Sequence, residues 1–378
     1  LGLALGGNRL PAQSGAAQSG ADQSGAAQAE STSVTVFRGG QIWDGIADRP
    51  IANGVIVVEG GKIRAIGGAD TAVPEGATVI DCTGKVLTPG LVDAATTLGV
   101  RTTDANEQAD EVTPAMRILD AIDPGSKSFE RARNQGVTTA QVSPGNRNVI
   151  GGLGAVLKTA GTTVEDMLVR DASCLRMTLG SEPSSGNRAI RFGAPTSMYF
   201  RRPTTRMGVV WAVRKAFYDA RAYQERKTDG EALPASSVDP DAEVLVQALE
   251  GKLQVRTTAR AEQDIRTALR LADEFGIKPV LEEATEAYRL IKELQATGSQ
   301  LVFGAPSKEV GRDGAEVRWS TLNELAEAAI PFAIATGGNI GTNALRLEAM
   351  FAVRNGLPAA AALRAITSIP ADILGVAD

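Results

Sequence analysis

The chain of 378 residues contains no histidine. That absence removes the commonest general base and the commonest metal ligand together. A Ser-His-Asp triad, a Cys-His pair and any zinc site with imidazole ligands are excluded within this chain. Cysteine is scarce as well. Cys82 and Cys174 form no CxxC pair, say little about redox compartment and leave room for one disulfide at most. Positive charge is not in excess: 39 Lys and Arg face 44 Asp and Glu, a net charge of −5. With no long single-sign run, the footprint of a nucleic-acid binder is missing. The apolar start, LGLALGG, is too short to span a membrane.

What is present suffices for a large core, since 43% of residues are hydrophobic. The start reads as the remnant of an export signal, or else as a disordered or partial beginning. The export reading carries an expectation of periplasmic or extracellular location. Next comes QSGAAQSGADQSGAAQ, with Gln13, Gln18, Gln23 and Gln28 in phase. It is too polar to offset its own ordering entropy, so residues 1–33 read as a signal-like remnant and a flexible Gln/Ser/Gly/Ala linker. From Val34 the pattern is β-branched runs split by glycine pairs, and EGGK (Glu59 to Lys62) is a hairpin signal. Residues 34–86 therefore read as a small β-domain.

From residue 87 to 378, short apolar runs alternate with helical patterns. GVTTAQVSP, GAVLKTAG, CLRMTLG, KLQVRTT, IKPVLEEAT, SQLVFGAP and PFAIAT are the runs. AEQDIRTALRLADEFG is the clearest helix, with Ile265, Leu269, Ala272 and Phe275 at helical spacing and Gly276 as its stop. Such alternation predicts an α/β fold with a parallel sheet, open or closed. Several runs end in polar residues, as the catalytic mouth of a (β/α)8 barrel requires. One run departs from that pattern: TPGLVDAATTLGV delivers only Ala94, Ala95, Thr96 and Thr97 after Asp93.

GGKIRAIG, VIDCTGKVLTPGLVDA and the late RLEAMFAVRNGLPAAAALRAITSIPADILGVAD resemble the amidohydrolase superfamily, and most of all its imidazolonepropionase-related branch. DANEQADEVTPAMRILDAIDP, GVTTAQVSPGNRNVIGGLGAVLKTAG and PTTRMGV add to the likeness, which runs from Val34 to the end. The resemblance implies a TIM-like (β/α)8 barrel over 87–378 and makes 34–86 the N-terminal part of a β-sandwich. The sandwich's C-terminal strands would follow Asp378, so the chain reads as a fragment. Active members bind zinc or a similar divalent metal at the strand ends and activate a hydroxide that attacks a C–N bond.

Carried over residue by residue, the ligand positions are substituted. The first-strand pattern Asp-x-His-x-His becomes Asp93, Ala95 and Thr97. The metal-bridging lysine corresponds to Arg176, the two later histidines to Thr258 and Glu283, and the last aspartate to Gly337. A guanidinium, always protonated, cannot become a carbamate. The expectation is a barrel mouth with no metal and no cofactor, in which Arg176 and Glu283 pair. Asp93, Lys158, Arg206 and Glu282 are the candidate ligand contacts, and no catalytic residue is assigned.

Other features admit two readings. The Gly-rich NVIGGLGAVLKTAG, with Gly151, Gly152, Gly154 and Lys158, can cradle an anion or be a structural loop. Asp104, Glu107, Asp110 and Glu111 can hold a hard cation or form a solvated loop. Arg201, Arg202 and Arg206, beside Tyr199 and Phe200, suit carboxylate recognition or a subunit contact. Glu282 and Glu283 can serve as acid and base or as mere mouth polarity. The leading expectation is a metal-free pseudo-hydrolase that acts as a ligand-binding domain or partner subunit. Its partners would be a small molecule, a second copy or an active amidohydrolase paralogue. The alternatives are a working C–N hydrolase with a non-histidine site and an inactive fragment.

Overall fold

The computed structural model describes residues 34–185, 203–228, 238–337 and 345–377. The signal-like start, the linker, and Tyr199 to Arg202 lie outside the described residues. The first sheet comprises β1 (Val34–Ile42), β2 (Ile51–Glu59), β3 (Lys62–Gly67), β4 (Thr78–Asp81) and β5 (Val86–Leu87). Its order is β3-β2-β1-β4, with β5 also paired to β1. Val36, Val55 and Val57 form its buried core. Glu59 pairs with Lys62, and the two residues between them, Gly60 and Gly61, have φ of 57° and 75°. A tight turn with both central residues at positive φ matches strand twist, and glycine adopts it without steric cost.

The second sheet has eight strands: β6 (Leu91–Thr96), β7 (Val137–Val142), β8 (Ile150–Lys158), β9 (Leu168–Thr178), β10 (Val255–Thr258), β11 (Pro279–Glu282), β12 (Gln300–Gly304) and β13 (Phe332–Ala335). They run in sequence order around a nearly closed barrel. The helices Glu262–Phe275, Thr321–Glu327, Ala359–Arg364 and Ser368–Leu374 fall where the periodic patterns lie. Gly276 caps the first of these at φ 69°, the left-handed conformation that ends a helix. Leu175, Val255, Leu281, Leu301 and Phe332 face outward into one large core with the helices. Ala94, Ala95, Val280, Val302, Ala333 and Ala335 pack inside the barrel.

One strand corrects the all-parallel expectation. β8, which carries GAVLK, is antiparallel to both β7 and β9. The segments joining it, 143–149 and 159–167, are too short for the helical crossover that a parallel neighbour needs, so β7, β8 and β9 form a meander. The two cysteines do not form a disulfide either: both are free and buried.

The barrel is closed between its first and last strands. Thr96 bridges Gly337, and the Gly337 amide donates to the Ala95 carbonyl at 2.9 Å. Asp93 locks this seam: its carboxylate accepts from the Thr336 amide at 3.0 Å and from the Thr336 hydroxyl. Burial pushes the Asp93 carboxyl up to about 6, against the hydrogen bonds of Thr336 and Ala95 and the charge of Arg256. With the folded pKa above its ordinary value of 3.8, the native state holds this proton more tightly. The resulting stabilisation is complete below about pH 4 and lost as pH rises through about 6. The stability of the wild type relative to Asp93→Asn should therefore fall by about 3 kcal/mol between those limits. Urea titrations showing a pH-independent difference between the two proteins would contradict this.

Candidate functional site at the barrel mouth

Strand alternation decides which side chains enter the barrel. In β9 and β10, Arg176 and Thr178 face inward beside Arg256 and Thr258, and the register pairs Arg176 with Arg256 directly. Two guanidiniums are thus neighbours in the interior, Arg176 at 5% exposure and Arg256 at 0%. The inward residue at the end of β11, Glu282, sits between them. One carboxylate oxygen contacts Arg176 Nη1, and the other lies 2.5 Å from Arg256 Nε in ion contact, without hydrogen-bond angles. Arg256 Nη2 also donates to the Ala94 carbonyl at 2.7 Å. Burial lowers the pKa of both arginines, and their mutual repulsion adds to the effect at Arg176. A guanidinium nonetheless stays charged in proteins.

Above this triad sits a second hub. Arg260, 1% exposed, donates to Glu283 at 2.7 Å, Asp313 at 2.8 Å and Glu182 at 2.7 Å. Burial opposes its charge, but Glu283, Glu182 and Asp313 outweigh burial and raise its pKa. Burial likewise opposes the charge on Glu283, yet Arg260 and Arg176 hold its carboxyl below the usual range. Asn146 ties the two hubs together. Its carbonyl oxygen accepts from Arg176 and from the Thr258 hydroxyl at 3.2 Å, and its amide donates to Glu283 at 3.3 Å. Arg206 belongs to an outer layer, donating to Asp264 at 3.1 Å and to the Asp313 carbonyl at 3.0 Å.

A cavity of about 50 Å³ at the strand ends is lined by Ala95, Thr97, Arg176, Glu282, Glu283 and Gly337, among others. Thr258 reaches this group through Asn146. Asp93 is close in sequence but is turned to the seam. Two expectations are corrected. Arg176 pairs with Glu282, not Glu283, because inward alternation selects Glu282, while Glu283 follows the strand at φ 53° and turns to Arg260. Lys158 does not reach the mouth: the reversed β8 puts it at the opposite end of the barrel, where it donates to Thr139 at 3.0 Å. Of the two readings of the acidic loop, the solvated one fits: Glu107 and Asp110 accept from nearby backbone amides, and no metal-holding group of acidic side chains forms among the described residues. Arg256, Arg260 and Asn146 carry the site yet went unassigned in the sequence. For the arginines a signal existed, because each lies two residues from Thr258 in VRTTAR.

The donor set does not suit a divalent metal. Among the described residues no group of three or more His, Cys, Asp or Glu side chains is placed to hold a metal ion. Arginine offers only N–H donors and no lone pair. At about 4 Å and an effective dielectric of about 20, each guanidinium would repel a dication by about 8 kcal/mol. Glu282 offsets one of the two.

No family model matches the chain. It is 27% identical over 395 aligned positions to amidohydrolase tasK of Hapsidospora irregularis, across 90% of this chain and 39% of that protein. The chain thus spans about two-fifths of that curated relative's length. The crystal structure of an amidohydrolase from Thermotoga maritima matches with a TM-score of 0.81 at 29% identity, over 91% of this chain and 89% of that one. The chain belongs to the amidohydrolase superfamily. A Xaa-Pro dipeptidase with bound methionine shares the fold at a TM-score of 0.54 and 16% identity, over 92% of this chain and 90% of its own.

Removing Glu282 would leave two buried guanidiniums uncompensated. Glu282→Ala should cost about 3–5 kcal/mol of stability. Adding Arg176→Met and Arg256→Met should recover much of that loss. Chemical denaturation of the three proteins checks both statements, and a single variant as stable as wild type would refute the first.

Proposed function

We propose that this chain is a metal-free, non-hydrolytic member of the amidohydrolase superfamily whose barrel mouth holds a ligand. The observation that carries this reading is Glu282 between Arg176 and Arg256. In a working metal site the strand ends present deprotonated ligands and an open coordination position. Here the inward carboxylate at the end of β11 is already engaged by two fixed cations, and Arg176 stands where the resemblance calls for a lysine.

The relatives carry the names of hydrolases, so C–N bond hydrolysis is the rival. Without a metal it would need a carboxylate free to act as general base, within reach of a substrate's water. Glu282 and Glu283 are both held in ion pairs, and the arginines that hold Glu283 keep its carboxyl below the usual range, which weakens it as a base. Those pairings favour binding over turnover.

Metal analysis decides between the readings. After incubation with excess Zn²⁺ or Mn²⁺ and dialysis, the purified chain should retain well under one equivalent. Ala95→His combined with Thr97→His should not change that, because both guanidiniums remain. One tightly held metal per chain in the unmodified protein would overturn the proposal.

A further inference from the structure

Outward of the two hubs, the mouth opens into a cleft of about 220 Å³. Arg101, Arg147, Lys308 and Arg312 all line it, as do Glu182, Glu283 and Glu309. The two signs are not equivalent. Glu182 and Glu283 are engaged by Arg260, and Glu309 accepts from the amides of Val310 at 3.0 Å and Gly311 at 3.1 Å. Three of the cations, the arginines, are less committed. Arg312 comes only to 3.9 Å from Glu283. The side chains of Arg101 and Arg147 are exposed and, among the described residues, take part in no ion pair or hydrogen bond. The overall charge of −5 makes this local surplus the more distinctive.

At the floor of the cleft Gly304 and Gly337 add no side chains, and their backbones pack closely: a Cβ on Gly304 would come within 3.1 Å of Gly337 Cα. Drug-sized sites begin at about 300 Å³, so the occupant is small. Guanidinium is the group best matched to carboxylate and phosphate oxygens.

We infer that this cleft binds a small oxyanion-bearing ligand, a carboxylate or phosphate compound, with Arg101 and Arg147 as its principal contacts. This rests on the reading of the mouth as a binding site, and it names the ligand's chemistry.

Isothermal titration calorimetry on the purified chain, at low ionic strength in a zwitterionic buffer, tests it with two separate probes, succinate and inorganic phosphate. One-site saturable binding of at least one probe is expected, and which one binds identifies the source of the oxyanion. Arg101→Ala and Arg147→Ala should each weaken it about tenfold or more. Arg131→Ala, on the helix Lys127–Asn134, should leave it unchanged. No saturable binding of either probe would overturn the inference, as would a double alanine variant that binds like wild type. Treatment with phenanthroline, a neutral chelator, separates the two claims. Binding lost on chelation would overturn both this inference and the metal-free reading. Arginine-dependent binding that survives chelation, in protein found to carry a metal, would overturn only the latter.

Discussion

The contact on which the site depends is a carboxylate held between two buried guanidiniums. Arg176 and Arg256 are register partners on adjacent strands, and strand geometry points both into the barrel. Alone, that pair would be untenable, since each charge is costly to desolvate and the two repel. Glu282, from the next strand, makes the interior neutral enough to close. In the proposed reading, packing and a metal-free mouth are two consequences of one triad.

Around that triad the polar network is graded. Asn146 joins it to the Arg260 hub, where three carboxylates share one guanidinium. Asp313 then connects that hub to Ser181 and Arg206. Each inner carboxylate has its partner, and the guanidiniums of Arg101 and Arg147 at the cleft rim have none among the described residues. This order, with anions engaged inside and Arg101 and Arg147 exposed outside, is what a site for an anion would require. Asp93 stands apart: it works on the barrel seam, through Thr336, and not on the mouth.

Much of the fold was legible in the sequence. EGGK marked its hairpin because glycine adopts the turn's positive φ without steric cost, and Gly276 marked a helix end for the same reason. The absence of histidine was decisive against imidazole ligands before any geometry was known. The direction of β8 was hidden, because GAVLK looks the same in a parallel or antiparallel strand and only the short flanking segments tell. The partner of Arg176 was hidden too. Glu282 and Glu283 are adjacent in sequence, and which one faces inward depends on where the strand ends. Asn146 lies in a loop and carries no periodic signal, so its bridging role emerges only from the three-dimensional arrangement.

The most direct test of the central claim is a crystal structure grown with excess Zn²⁺ or Mn²⁺, with anomalous data collected at the metal's absorption edge. The account predicts no anomalous peak within coordinating distance of Glu282 or Glu283, and continuous density for Arg176 and Arg256 against the Glu282 carboxylate. A peak ligated by either glutamate, with the guanidiniums swung aside, would contradict it.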